Sequence, residues 1–320
     1  MNKYAVTVIG SGPNGMYTCY KLKNENISYI CLEKGEVLNN LRQYPNILWH
    51  SEIKYLKFPS KQNEKLINNE AIYNNDFIVD YYLNFSKEHK LNIKTNCEVI
   101  DIKKNKEDYE VEYINNNEKH TIISKFIIIA SGIYTNNNKL NINTDYPFCY
   151  NCLNNFNYKD EKISIIGSGN SSIDYITYLL PNNKIYWIIR GNKYNERLNT
   201  IHHKRFKQII ANYKDNLKIF FETEVVDIDN DKNLKLSNGE VLNVDKVILL
   251  LGMHMKSYLF QKIGLKFKND YVSINNNNET NLKNIYVFGS VASQHNKIIY
   301  IHNGNPNIFM KILKDIKSKI

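Results

Sequence analysis

The sequence predicts an α/β protein of three-layer build, made of two tandem Rossmann-like nucleotide-binding modules with the second inserted in the first. Three observations carry that prediction. A strand, glycine turn, helix and strand are written twice, and each copy is followed by a similar short meander and a core strand that ends in glycine. A third is a late strand and helix, too small to fold alone, which close the first module. At 320 residues the chain is long enough for two such domains.

The first module opens with AVTVIGSGPNGMYTCYKLK (5–23), where the apolar strand Ala5 to Ile9 runs into Gly10-Ser-Gly12-Pro-Asn-Gly15 and then a helical pattern. Gly10 allows the tight turn, Gly12 lets the backbone approach a pyrophosphate, and Gly15 lets helix and strand pack closely. The helix N-terminus supplies N–H groups and the positive end of its dipole. A second strand, SYICLEK (28–34), ends at Glu33, an acid placed to accept hydrogen bonds from a ribose diol. The second module repeats the unit as KISIIGSGNSSIDYITYLL (162–180), with Gly167, Gly169 and, in place of the third glycine, Ser172. Its next strand, KIYWIIRG (184–191), ends at Arg190, at the same offset from its first glycine as Glu33 has from Gly10. A carboxylate there would repel a 2′-phosphate, whereas a guanidinium binds one in fork geometry. Arginine occurs only four times in this lysine-rich chain, and Arg190, Arg197 and Arg205 cluster. Arg197 is a second candidate clamp. The two endings suggest FAD in the first module and NADPH in the second.

Downstream, TNCEVIDI (95–102), EDYEVEYI and KHTIIS precede KFIIIASG, which ends at Gly132. In the second module FETEVVDI (221–228), LKLS and EVLNV precede DKVILLLG, which ends at Gly252. The strand NIYVFGS (284–290) and the helix NPNIFMKILKDI (305–316) then complete the first module. The expected organisation is residues 1–142 and 254–320 as two parts of the FAD domain, with 143–253 as the NADPH domain between them.

Composition narrows the class. With 42% hydrophobic and 23% charged residues the chain reads as a soluble globular protein. The longest apolar runs are strand-sized, so no membrane span is expected, and the start lacks the pattern of a signal peptide. Five cysteines without framework spacing argue against a disulfide-stapled secreted protein, and a cytoplasmic location is expected. The net charge of +10 comes from scattered lysines with no nucleic-acid module around the short patch HHKRFK (202–207), so nucleic-acid binding is not expected. The histidines show no catalytic or metal-binding order.

The tandem arrangement resembles the flavoproteins with two dinucleotide-binding domains, and more closely their short thioredoxin-reductase-like branch. Within that branch the local words are similar to those of the bacillithiol-disulfide reductase family: LEKGEVLNNLRQYPN (32–46), ASGIYTNNN (130–138), IIGSGNSSID (165–174), RGNKY (190–194), GMH with QKIGL (252–265) and NIYVFGSVA (284–292). They span nearly the whole chain. The resemblance implies FAD contacts from Gly10, Gly12, Gly15, Glu33, Asn40, Tyr44, Val99, Gly132, Gly289 and Ser290. It implies NADPH contacts from Gly167, Gly169, Asn170, Ser171, Ser172 and Arg190, and a homo-oligomer. Two departures stand out. Ser290 replaces the aspartate usual after the glycine of this strand, and a hydroxyl anchors a ribityl chain more weakly. Asn14 stands where the family often carries a cysteine proposed to attack the substrate disulfide.

Cys149 and Cys152, in FCYNCLNN (148–155), lie close to where thioredoxin reductases carry their redox pair. They are candidate catalytic thiols; the competing reading is two small, partly buried hydrophobes, since Leu153 stands where an aspartate proton donor is usual. The expected activity is transfer of hydride from NADPH through FAD to a disulfide, either of low molecular weight or in thioredoxin. The alternative is an inert cysteine pair and electron delivery to ferredoxin or flavodoxin, acidic partners suited to a basic surface. A non-catalytic nucleotide sensor is the remaining possibility.

Overall fold

The computed structural model describes residues 1–49, 73–132, 137–153, 155–194, 200–252, 258–268, 271–292 and 306–320. By its internal contacts the chain divides into two units. One comprises Met1–Gln43, Ser51–Asn136 and His254–Ile320; the other comprises Tyr44–His50 and Asn137–Met253.

The first unit holds β1 (Lys3–Ile9), α1 (Pro13–Asn24), β2 (Tyr29–Leu32), α2 (Asn39–Arg42), α3 (Asn75–Glu88), β3 (Ile93–Lys94), β4 (Cys97–Asn105), β5 (Asp108–Asn115) and β6 (Glu118–Ile129). Later in the chain it adds α6 (Tyr258–Lys262), the paired strands β15 (Phe267–Lys268) and β16 (Tyr271–Val272), β17 (Ile285–Val287) and α7 (Pro306–Lys319). The main sheet runs β3-β2-β1-β6-β5-β4, with β17 also on β6. β2, β1, β6 and β17 pair in parallel, and the late strand β17 is part of this first sheet. Parallel strands covered on both faces are continuously apolar, and Val6, Val8, Ile127, Ile128 and Ile129 are all fully buried. Pro13 at the start of α1 gives up an N–H that would have no helical partner.

One expected break is absent. KHTIIS and KFIIIASG read as two strands but form the single strand β6, because Ser124 at the junction pairs with Tyr4 of β1 on one side and Tyr109 of β5 on the other.

The second unit holds β7 (Cys149–Tyr150), β8 (Lys162–Ile166), α4 (Asn170–Leu179), β9 (Lys184–Ile188), α5 (Thr200–Asn212), β10 (Leu217–Phe220), β11 (Val225–Ile228), β12 (Asn233–Leu236), β13 (Val241–Asn243) and β14 (Lys246–Leu249). A parallel sheet of order β10-β9-β8-β14-β7 is accompanied by the small antiparallel sheet β11-β12-β13. It is three-layered. On one face Ile163, Ile165, Ile185 and Trp187 pack with Ile173, Tyr175 and Ile176 of α4 and Phe206 of α5. On the other, Ile166, Ile188, Val247 and Leu249 pack with Val225, Leu234, Leu236 and Leu242 of the small sheet. Among the described residues no helix is long and apolar enough to cross a membrane.

Candidate functional site

Register brings the first set of candidates together. Ile9 pairs with Leu32 and Ile129, and Val287 pairs with Ile129, so the segments after β1, β2, β6 and β17 leave one edge of the sheet side by side. That edge carries Gly10–Gly15, Glu33, Gly132 and Gly289–Ser290. It is the carboxyl edge, where open parallel sheets bind ligands.

Geometry dictates the residue types there. A Cβ on Gly15 would lie 1.9 Å from the Gly10 carbonyl oxygen, and Gly10 itself has φ +98°. Neither position can take a side chain without moving the helix off the strand. At Gly12, which precedes α1 in extended backbone without a side-chain cap, nothing lies within 4 Å of a Cβ position. The space beside Gly12 at the N-terminus of α1 is therefore open, as a pyrophosphate requires. Glu33, 9% exposed, is held by this turn: its Oε2 accepts from Ser11 N at 2.7 Å and Ser11 Oγ at 2.9 Å, and Oε1 accepts from Gly35 N at 3.0 Å. Such fixed carboxylates retain lone pairs for ribose hydroxyls. A Cβ on Gly132 would lie 3.8 Å from Ser290 Oγ, and one on Gly289 (φ +88°) would lie 2.6 Å from Asn14 Nδ2. Asn14 thus packs against the Gly289 turn beside Ser290. Val99 sits in β4 at a register shift, two residues after Cys97, whose N donates to Glu33 O at 2.7 Å. Asn40 is half-buried in α2, whereas Tyr44 counts with the second unit.

The second turn repeats this plan. Gly167 (φ +127°) would place a Cβ 2.2 Å from the Leu250 carbonyl oxygen, and Gly169 caps α4 with nothing within 4 Å of its Cβ position. Asn170, Ser171 and Ser172 form the first turn of α4. Ser172 is fully buried, and among the described residues its Oγ has no hydrogen-bond partner. Trp187 Nε1 donates to the Gly167 carbonyl at 2.7 Å, while Cys31, the matching position in the first module, offers only its thiol to Gly10 O at 3.5 Å. Arg190 follows β9 with its side chain 86% exposed and Glu224 Oε1 at 3.8 Å from its Nε. Arg197 lies outside the described residues. Both turns therefore fit a dinucleotide: close backbone, open helix N-termini, and an acid or a guanidinium after the second strand.

Cys149 and Cys152 have different neighbours. Neither is in a disulfide. Cys149 packs against the cluster shared with the small sheet, and burial pushes its thiol up to about 11. Cys152 receives a hydrogen bond from Tyr175 Oη at 3.3 Å, and Tyr175 belongs to the helix-side cluster. Cys152 is exposed as a residue, but its sulfur sits beside Tyr175; the local desolvation raises the thiol, and the Tyr175 hydroxyl only partly offsets it. Reactive cysteines show the opposite shift. Cys19, Cys31 and Cys97 are buried. Among the described residues no group of His, Cys, Asp and Glu could hold a metal ion.

Three features escaped the sequence reading: Ser11 on Glu33, Trp187 on the Gly167 carbonyl, and Glu224 beside Arg190. The GSG shared by both turns was the available signal for Ser11.

The family model described as "Pyridine nucleotide-disulphide oxidoreductase" matches residues 7–289. Bacilliredoxin reductase Bdr of Bacillus subtilis is 24% identical over 93% of each chain. A ferredoxin–NADP reductase of Malacoplasma penetrans is 25% identical over 90% of this chain and 88% of its own. The solved structure of bacillithiol disulfide reductase Bdr (YpdA) from Bacillus cereus superposes with a TM-score of 0.90 at 23% identity, covering 100% of both chains. The chain belongs to the pyridine nucleotide-disulphide oxidoreductase family, as an oxidoreductase that uses FAD and a pyridine nucleotide.

Proposed function

We propose that this enzyme takes two electrons from NADPH and delivers them to a low-molecular-weight disulfide, without a relay through Cys149 and Cys152. The reaction consumes NADPH, one proton and one disulfide, and releases NADP⁺ and two thiols as the S–S bond breaks. The observation that carries this reading is the family match over residues 7–289 together with end-to-end similarity to a bacilliredoxin reductase.

FAD, when bound, supplies the chemistry of accepting hydride from nicotinamide and passing the electrons on. The chain's own residues bind and orient. The N–H groups after Gly12 and Gly169 hold the two pyrophosphates. Glu33, fixed by Ser11, takes the adenosine ribose of the first nucleotide. Arg190 selects the 2′-phosphate of the second. Asn14 lies against the Gly289–Ser290 turn at the sheet edge and offers an amide there in place of a thiol nucleophile. Cys149 packs half-buried against the small-sheet cluster, while Cys152 is exposed with its sulfur beside Tyr175. We place the enzyme in the cytoplasm as a homo-oligomer.

Delivery of single electrons to a ferredoxin or flavodoxin is the second reading. The missing thiol at Asn14 and the similarity to a ferredoxin–NADP reductase favour it. An NADPH-oxidation assay across low-molecular-weight disulfides, thioredoxin and ferredoxin separates the two. Turnover with a small disulfide that persists in the Cys149→Ser/Cys152→Ser double variant is expected. Turnover with ferredoxin alone would overturn the disulfide reading, and loss of disulfide turnover in the variant would restore the relay.

A further inference from the structure

The Arg190 guanidinium has a built-in anionic neighbour. After β10 the chain folds back over the end of β9: Ile189 N donates to Phe220 O at 2.9 Å, Thr223 N to Ile189 O at 3.1 Å, and Glu222 N to Gly191 O at 2.9 Å. Glu224 is held from its other side too, its N donating to Ser237 Oγ at 3.0 Å and its O accepting from Ser237 N at 2.8 Å. Backbone bonds on both sides thus anchor Glu224 next to the Arg190 loop, with its carboxylate 3.8 Å from Arg190 Nε. Both side chains are solvent-exposed, 86% and 56%. Arginine cannot discharge by losing a proton, so the carboxylate and an arriving phosphate dianion must share one guanidinium. The two anions also repel each other across it.

We propose that Glu224 is a specificity-determining residue that tempers the preference of Arg190 for a 2′-phosphate and makes room for NADH beside NADPH. With a 2′-phosphate present, Glu224 is the competitor. With a 2′-hydroxyl, its carboxylate is an acceptor for that hydroxyl and keeps Arg190 neutralised. This rests on the assignment of Arg190 to the 2′-phosphate.

The test is calorimetric titration of the purified full-length protein with 2′,5′-ADP and with 5′-AMP, which differ by the 2′-phosphate alone. Wild type, Glu224→Gln, Arg190→Ala and the double variant are compared. An exposed ion pair is weak, so Glu224→Gln should raise the ratio of 2′,5′-ADP to 5′-AMP affinity by roughly two- to fivefold. The gain should be much smaller in the Arg190→Ala background, where only direct repulsion between the two anions remains, and should shrink at high salt, where exposed charges are screened. A ratio unmoved by Glu224→Gln, while Arg190→Ala collapses it, overturns the role of Glu224 and leaves Arg190 as the clamp. A gain of equal size without Arg190 also overturns the proposal, because Glu224 would then act by its general field. If Arg190→Ala leaves the wild-type ratio intact, the assignment of Arg190 fails and the proposal with it.

Discussion

The two glycine turns share one plan but are built to different tolerances. In the first, helix α1 sits so close to the turn that a Cβ on Gly15 would lie 1.9 Å from the Gly10 oxygen. In the second, Ser172 occupies the third position with its hydroxyl buried, and the demand for a bare backbone falls on Gly167, against Leu250. The ends of the second strands differ as well. Glu33 is 9% exposed and already hydrogen-bonded by its own turn, whereas Arg190 is exposed and has a competing carboxylate at 3.8 Å. A buried, pre-oriented acid suits a nucleotide that stays. An exposed guanidinium suits one that binds and leaves at each turnover.

The largest effect should come from Gly15→Ala. The new methyl would overpack against backbone, costing at least roughly 1–3 kcal/mol, and α1 would have to leave the strand. The purified variant should have lost flavin and show a depressed thermal midpoint. Ser172→Ala, at the matching position, should keep both nucleotides and be neutral or slightly stabilising, since it removes an unpartnered hydroxyl. Equal damage from the two would erase the contrast between the turns.

Arg190→Ala comes next. A charge-assisted contact to phosphate contributes roughly 1.5–3 kcal/mol, so NADPH should lose about ten- to a hundredfold in affinity while NADH changes little. Equal weakening of both cofactors would make Arg190 structural.

Trp187→Phe should then cost roughly 1–3 kcal/mol by leaving the Gly167 carbonyl without its indole partner, read as a lower denaturant midpoint. Unchanged stability would mean that water replaces that bond.

The smallest effects belong to the cysteines. The Cys149 thiol is raised to about 11, so the folded protein holds that proton more tightly than the unfolded chain. Any stability it contributes is present below the ordinary thiol value near 9 and is lost as pH rises through about 11. Alkylation of Cys149 by iodoacetamide should therefore be slow at neutral pH and accelerate only towards pH 11. Fast labelling at pH 7 would mean an activated thiol and revive the dithiol.

Both nucleotide modules were legible in the sequence because their signals are local. A glycine pattern between an apolar strand and a helix needs no partner elsewhere, and Glu33 and Arg190 stand at one offset. What escaped depends on contacts that no period encodes. Asn14 meets Gly289 from the far end of the chain, and Glu224 reaches Arg190 only because the segment after β10 folds back. The continuity of β6 was hidden for a similar reason. Ser124 and Lys125 look like a break, yet pairing on both sides carries the strand through. In the second module Val244 and Asp245 do break the run, and Asp245 accepts from Lys162 N instead. For the cysteine pair, spacing along the chain does not say which neighbours each thiol meets.

The central claim is that the first turn holds FAD and the second delivers electrons to it from a pyridine nucleotide. An anaerobic titration of the purified protein with NADPH, followed through the flavin absorbance band, tests it most directly. A yellow protein is expected, whose band bleaches on adding NADPH, and does so equally in the Cys149→Ser/Cys152→Ser variant. A colourless protein that takes up no added FAD, or a bound flavin that NADPH leaves oxidised, would contradict it.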